Sequence, residues 1–156
     1  MKALLVTLVL LASVPVRAAE FHPFVRGSWR QLKSMHAGRP TIVSFWSISC
    51  APCLAEMPLW RQLMRHAANV DIVLVSTDAI SNAKLISERI DGAGLARADN
   101  WAFADRFTDR LYFEVNPHWQ GVLPYTVLIG RTGRTIARVG EADPAKLKDW
   151  IASQKG

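Results

Sequence analysis

Cys50 and Cys53 are the only cysteines in a chain of 156 residues, and Ala51 and Pro52 separate them. Thiols at this spacing can close a disulfide and reopen it by exchange, one thiolate attacking a foreign disulfide and the second displacing it. The pair follows the run Thr41-Ile42-Val43-Ser44-Phe45-Trp46 and precedes a helical pattern that starts at Ala51, so it sits at a strand-to-helix junction. The unpaired N–H groups and dipole of a helix start favour a thiolate, which lowers the Cys50 pKa below the ~8.5 of a free thiol. Pro52 suits the first helical turn, where its missing N–H costs nothing. Cys50 is therefore expected to be the exposed nucleophile and Cys53, one turn on, the resolving thiol. Glu56 lies three residues after Cys53, on the same helical face, and is a candidate to take its proton during exchange. A purely structural disulfide would close too short a loop to gain much chain entropy. Two cysteines and four scattered histidines fall short of a closed zinc site, and the chemistry calls for neither a metal nor an organic cofactor.

The elements that must position this pair can be read around it. Ser28-Trp29-Arg30-Gln31 predicts a capping box opening a helix through Met35, closed by Gly38-Arg39-Pro40. Residues 41–46 form a near-continuous apolar and β-branched run, the pattern of a strand buried on both faces. A helix over 51–67 follows, with Pro58 expected to kink it. A second buried strand is predicted over 70–76 and a helix over 81–90, ended by Gly92-Ala93-Gly94. Between 96 and 121 the pattern is weaker, with a short strand at 101–103 and a short helix over 105–113. Strands 125–129 and 135–139 flank Gly130-Arg131-Thr132-Gly133, a hairpin, and Asp143-Pro144 opens a last helix to Ala152. Strand–helix–strand–helix followed by a hairpin and a helix predicts one α/β domain over 20–156, with a central mixed β-sheet flanked by helices.

Residues 1–19 read as a leader. Lys2 is the charged start, Ala3 to Ala12 the apolar run, and Val16-Arg17-Ala18-Ala19 the small-residue cleavage region. The run is about half of what a bilayer span needs, so export to the periplasm without a stable membrane anchor is expected once the signal is cleaved. The chain carries a formal net charge of +6, with 50% hydrophobic and 21% charged residues. Lys2 and Arg17 contribute two of those charges. No block of like charge marks a nucleic-acid partner, and the apolar content excludes a disordered chain.

The segment Phe45-Trp46-Ser47-Ile48-Ser49-Cys50-Ala51-Pro52-Cys53-Leu54-Ala55-Glu56-Met57-Pro58 resembles the active-site segment of thioredoxin-fold proteins, in particular periplasmic thiol–disulfide oxidoreductases of the TlpA/ResA type. Gly121-Val122-Leu123-Pro124-Tyr125-Thr126-Val127-Leu128-Ile129 is similar to the family strand that follows a cis proline. The resemblance implies a thioredoxin-like fold, a cis Pro124 facing the cysteines, and Glu56 as the acid that tunes the thiols. It also implies a substrate-binding surface drawn from Trp46, Ser49, Ala51, Pro52, Leu123 and Pro124, with the Leu123 backbone offered to an extended client. Ser49 and Tyr125 depart from the family pattern, which has Trp and Thr there, and both are expected to line the groove. Trp119 is expected to be an exposed apolar contact for a partner, and His118 a surface residue. The implied partners are a disulfide-containing client protein and a membrane thiol donor that re-reduces the pair. The reductase direction is expected, because Ala51-Pro52 adds no positive charge to hold Cys50 as thiolate. Two other activities stay open, a disulfide-forming oxidase and a copper-site assembly protein. The first usually carries a helical insertion, and the second a C-x-x-x-C spacing.

Overall fold

The computed structural model describes residues 19–154. The leader expected over 1–19 thus lies, apart from Ala19, outside the described residues. Among the described residues, six strands form one sheet: β1 (His22–Phe24), β2 (Thr41–Trp46), β3 (Asp71–Ala79), β4 (Asp99–Phe103), β5 (Tyr125–Ile129) and β6 (Thr135–Val139). Their order is β1-β4-β3-β2-β5-β6. The first four pair in parallel, and β5 runs antiparallel to both β2 and β6. The described residues form five α-helices around it: α1 (Ser28–Met35), α2 (Ala51–His66), α3 (Ala83–Gly92), α4 (Thr108–Val115) and α5 (Pro144–Ser153). The chain is an α/β protein with a mixed central sheet, as its sequence predicts.

Alternation along the strands divides the core into two layers. Ile42, Ile72, Leu74 and Leu128 face α2, α3 and α5, where Met57, Trp60, Ile86, Ile90, Leu147 and Ile151 complete the packing. Val43, Phe45, Val73, Val75 and Val127 face the other way, against Trp29 and Leu32 of α1 and Leu111 of α4. All six residues of β2 and all five of β5 are buried, which is why their apolar runs are continuous. β6 lies at the edge and is largely exposed. Among the described residues, no helix is long and apolar enough to cross a membrane.

Several expectations are corrected. Gly27, not Ser28, caps α1, at φ +88°, a left-handed conformation that glycine adopts without strain. Ser28 is the first helical residue, and its hydroxyl accepts from Val25 N–H (2.9 Å) and donates to the Pro23 carbonyl (3.3 Å), so no capping box forms. β3 runs three residues further than predicted, to Ala79, through a register shift between Ser76 and Ala79. A short 3-10 turn over 80–82 then delays α3. The helix expected over 105–113 begins at Thr108 and ends at Val115.

At the end of the sheet where the parallel strands begin, His36 lies between two carboxylates. Its Nδ1 is 2.9 Å from Asp71 Oδ2 and its Nε2 3.0 Å from Asp99 Oδ2. Only the imidazolium has a donor for both. The hydrogen bond to Asp99, and then that to Asp71, raise the His36 pKa above its ordinary 6.5 against the opposing effect of burial. Asp71 is lowered, first by the Arg39 guanidinium and then by His36. Asp99 is pushed up by burial but ends lower because His36 donates to it. The contribution of a raised histidine is complete below 6.5 and is lost as pH rises through its native value, whereas that of the aspartates is lost as pH falls. His36→Gln should therefore cost about 2 kcal/mol near pH 5.5 and clearly less at pH 9, as urea unfolding at the two pH values would measure. An equal loss at both would rule out the charged arrangement.

Candidate active site

Cys50 is the N-cap residue of α2, directly beyond the loop that leaves β2. In this structure it is joined to Cys53 by a disulfide. The Cys53 N–H points at the Cys50 sulfur, 3.3 Å away, so the first turn of α2 turns one of its amide donors toward that sulfur. The two cysteines differ in access: Cys50 is half-buried, whereas Cys53 is 1% exposed and packs in the core with Trp46 and Met57. Pro52 occupies the first turn, as expected. Pro58 sits inside α2 without ending it.

Three further segments converge on the same end of the sheet. β5 starts where β2 finishes, Tyr125 pairing with Phe45, and the Leu123–Pro124 peptide bond just before it is cis. Val139, at the end of β6, pairs with Tyr125, which brings the loop after β6 to the same place. Its Gly140 N–H donates to the Pro124 carbonyl at 2.8 Å, and its Ala142 N–H donates to Glu56 Oε1. Glu56 is 6% exposed, and its other oxygen, Oε2, is buried without a hydrogen-bond partner among the described residues. Burial raises the Glu56 pKa; the Ala142 amide opposes this, and the nearby charge of Glu141 adds to it. A buried acid with a free oxygen, one turn from a buried thiol, is a group able to hold or release a proton there.

Of the other residues singled out in the sequence, Ser49 and Ala51 are exposed, Pro52 and Leu123 half-buried, and Pro124 buried. Among the described residues, the Leu123 N–H and C=O have no backbone partner, so an extended chain can pair with them. Trp46, at 2% exposure, lies beneath the site rather than on its surface. Two expectations fail. Trp119 is 5% exposed and stacks on Tyr125 with ring centroids 4.2 Å apart, so neither ring lines an open groove. Trp119 Nε1–H instead donates to the Val122 carbonyl (2.9 Å), and Asn116 donates to the Tyr125 hydroxyl (2.9 Å), which together pin the loop carrying Leu123.

Asp78 went unnoticed in the sequence. Where β3 shifts register, its carboxylate accepts from Ile48 N–H (2.8 Å), Ser47 Oγ (3.0 Å) and Ser76 Oγ (2.7 Å). It thereby ties the loop ahead of Cys50 to the neighbouring strand. Among the described residues, no group of three or more His, Cys, Asp or Glu side chains is arranged to hold a metal ion.

Solved structures resemble this chain closely in fold. One is a Chlorobium tepidum protein assigned as the thiol:disulfide interchange protein DsbE, 25% identical over 79% of this chain and 84% of that one, with a TM-score of 0.59. A Neisseria meningitidis protein assigned as a thioredoxin is 26% identical over 78% of this chain and 77% of its own, with a TM-score of 0.58. A secreted Mycobacterium tuberculosis disulfide oxidoreductase homologous to Escherichia coli DsbE has a TM-score of 0.62 at 20% identity, covering 77% of this chain and 85% of that one. No protein-family model and no curated protein matches the sequence. With a disulfide at the strand–helix junction of this fold, the chain is a thioredoxin-fold thiol–disulfide oxidoreductase. Its cysteine segment resembles that of TlpA-type proteins, and DsbE-like structures are among those it is similar to in fold.

Proposed function

We propose that the protein is exported and there reduces disulfides in client proteins. The observation that carries this reading is the unequal pair at the start of α2: a reachable Cys50 over a buried Cys53, with the buried Glu56 one turn further on. In the reduced protein the Cys50 thiolate attacks one sulfur of the client disulfide. A Cys50–client disulfide forms, and the other client sulfur leaves as a thiolate and takes a proton. Cys53 gives its proton to Glu56 and attacks the Cys50 sulfur. The Cys50–Cys53 disulfide closes, and the second client sulfur leaves. Two electrons pass from the protein dithiol to the client, and a membrane thiol donor must return them. Leu123 holds the client backbone in extended form, Ser49, Ala51 and Pro52 form the rim it meets, and Pro124 closes the far side. Export is supported by the leader pattern of residues 1–19 and by the secreted Mycobacterium relative.

The direction is tested by the equilibrium potential of the pair against glutathione. A reductase should lie at about −200 mV or lower, whereas a value near the −120 mV of a strong oxidant would reverse the assignment.

A further inference from the structure

Two hollows lie between α3 and the loop and helix that carry the cysteines, and Arg89 is a wall of both. The first, of about 390 Å³, is lined by Ile48, Ser49, Leu85, Glu88 and Arg89, so it opens at the residue before Cys50. The second, of about 290 Å³, continues along α2 past Leu54, Met57 and Pro58 to Arg61. Leu85 is 50% exposed, an apolar side chain left on the rim. Arg61 is half-buried, and its stem lies across Gly94, where a Cβ would come within 3.1 Å of Arg61 Cδ. Among the described residues, neither Arg61 nor Arg89 has a side-chain hydrogen bond or ion pair. Arg61 is half-buried and Arg89 exposed, and guanidiniums that make no ion pair are poised for an anion from elsewhere.

We infer that the two hollows form a docking channel for an extended, acidic segment of the client: an apolar side chain against Leu85 and Ile48, followed by carboxylates between Arg89 and Arg61. The inference rests on disulfide exchange at Cys50, as proposed above, and names the partner's chemistry beside that site. The apolar end of the channel lies next to Cys50 and also holds Glu88, which repels an acid placed there. The far end carries both arginines and no acid, so charge sets the direction in which the segment lies.

The test uses protein reduced with dithiothreitol and freed of it. Its second-order rate is measured with bis(2-hydroxyethyl) disulfide, which is too small to reach the channel, and with two synthetic peptides. Each peptide has one intramolecular disulfide followed by leucine and then either two aspartates or two asparagines. In every case the protein dithiol is oxidised to the disulfide and the probe disulfide reduced to two thiols. The acidic peptide should react roughly three- to tenfold faster than the amide peptide, with the advantage fading at high salt. In a protein carrying both Arg61→Gln and Arg89→Gln the two peptides should react alike, while the rate with bis(2-hydroxyethyl) disulfide stays unchanged. Equal peptide rates in the wild-type protein would overturn the inference, as would an acidic preference that survives in the double variant. A dimer dissolved by Arg61→Gln in sedimentation equilibrium would overturn it too, by giving the channel to a second copy. Failure to reduce even bis(2-hydroxyethyl) disulfide would remove the exchange reading itself, and the channel with it.

Discussion

Cys50→Ala should abolish disulfide exchange, lowering the rate by about a thousandfold or more, whereas Cys53→Ser should leave an attacking protein that cannot release its client. The asymmetry follows from access. In Cys50→Ala the remaining thiol is Cys53, which is 1% exposed beneath the first turn of α2 and out of reach of a folded client. In Cys53→Ser the half-buried Cys50 keeps its place at the N-cap, where the helix start and the amide of residue 53 stabilise a thiolate. Attack therefore proceeds and stops at the mixed disulfide. Non-reducing gels with mass spectrometry would show client adducts in Cys53→Ser and none in Cys50→Ala. Adducts on Cys53, or full exchange by Cys50→Ala, would reverse the roles. The same trap names the client.

Local pattern and distant contact divided what the sequence could reveal. Strand 41–46 and hairpin 125–139 were legible to the residue because their signals are local: an unbroken apolar run and a glycine-flanked turn. β1 was missed. It has only three residues, includes Pro23, and is held by parallel pairing with β4 nearly 80 residues away. The cysteine pair was legible because spacing and junction are both short-range. Trp119 read as exposed because its neighbours, Pro117, His118, Gln120 and Gly121, have loop composition. Its burial is decided by a stack on Tyr125 and contact with Phe45, neither of which is near it in a pattern sense. That stack also accounts for tyrosine at 125, where the family pattern has threonine: the ring fills core space and faces no groove. Asp78 was hidden in Ser76-Thr77-Asp78, which reads as an ordinary strand end. Its grip on Ile48 exists only because β3 shifts register there. A polar triplet ending an otherwise apolar strand is the one trace it leaves.

Glu56→Gln should separate activity from stability in opposite directions. The carboxyl is nearly buried, one oxygen accepts from Ala142 N–H, and the other has no partner among the described residues. Its pKa is raised from 4.5, chiefly by burial. A raised acid favours folding fully below its unfolded pKa, and that contribution is lost as pH rises through the native value. At pH 7 the ionised group is therefore a cost to the oxidised protein. Glutamine keeps an oxygen for Ala142 N–H and removes the charge, so the variant should match or exceed the wild type by about 1 kcal/mol at pH 7, with the difference shrinking toward pH 4. Turnover should move the other way. Without a group to take the Cys53 proton, release of the client slows by about 10- to 100-fold, and the pH profile of thiol alkylation shifts to lower pH because a like charge has gone. Urea unfolding of the oxidised protein, together with turnover and alkylation of the reduced one, measures all three. A carboxylate that merely holds the loop after β6 would leave turnover and the alkylation profile where they were, because glutamine keeps an oxygen for Ala142 N–H. Stability retained while turnover falls and alkylation shifts to lower pH is the outcome a proton-handling group produces.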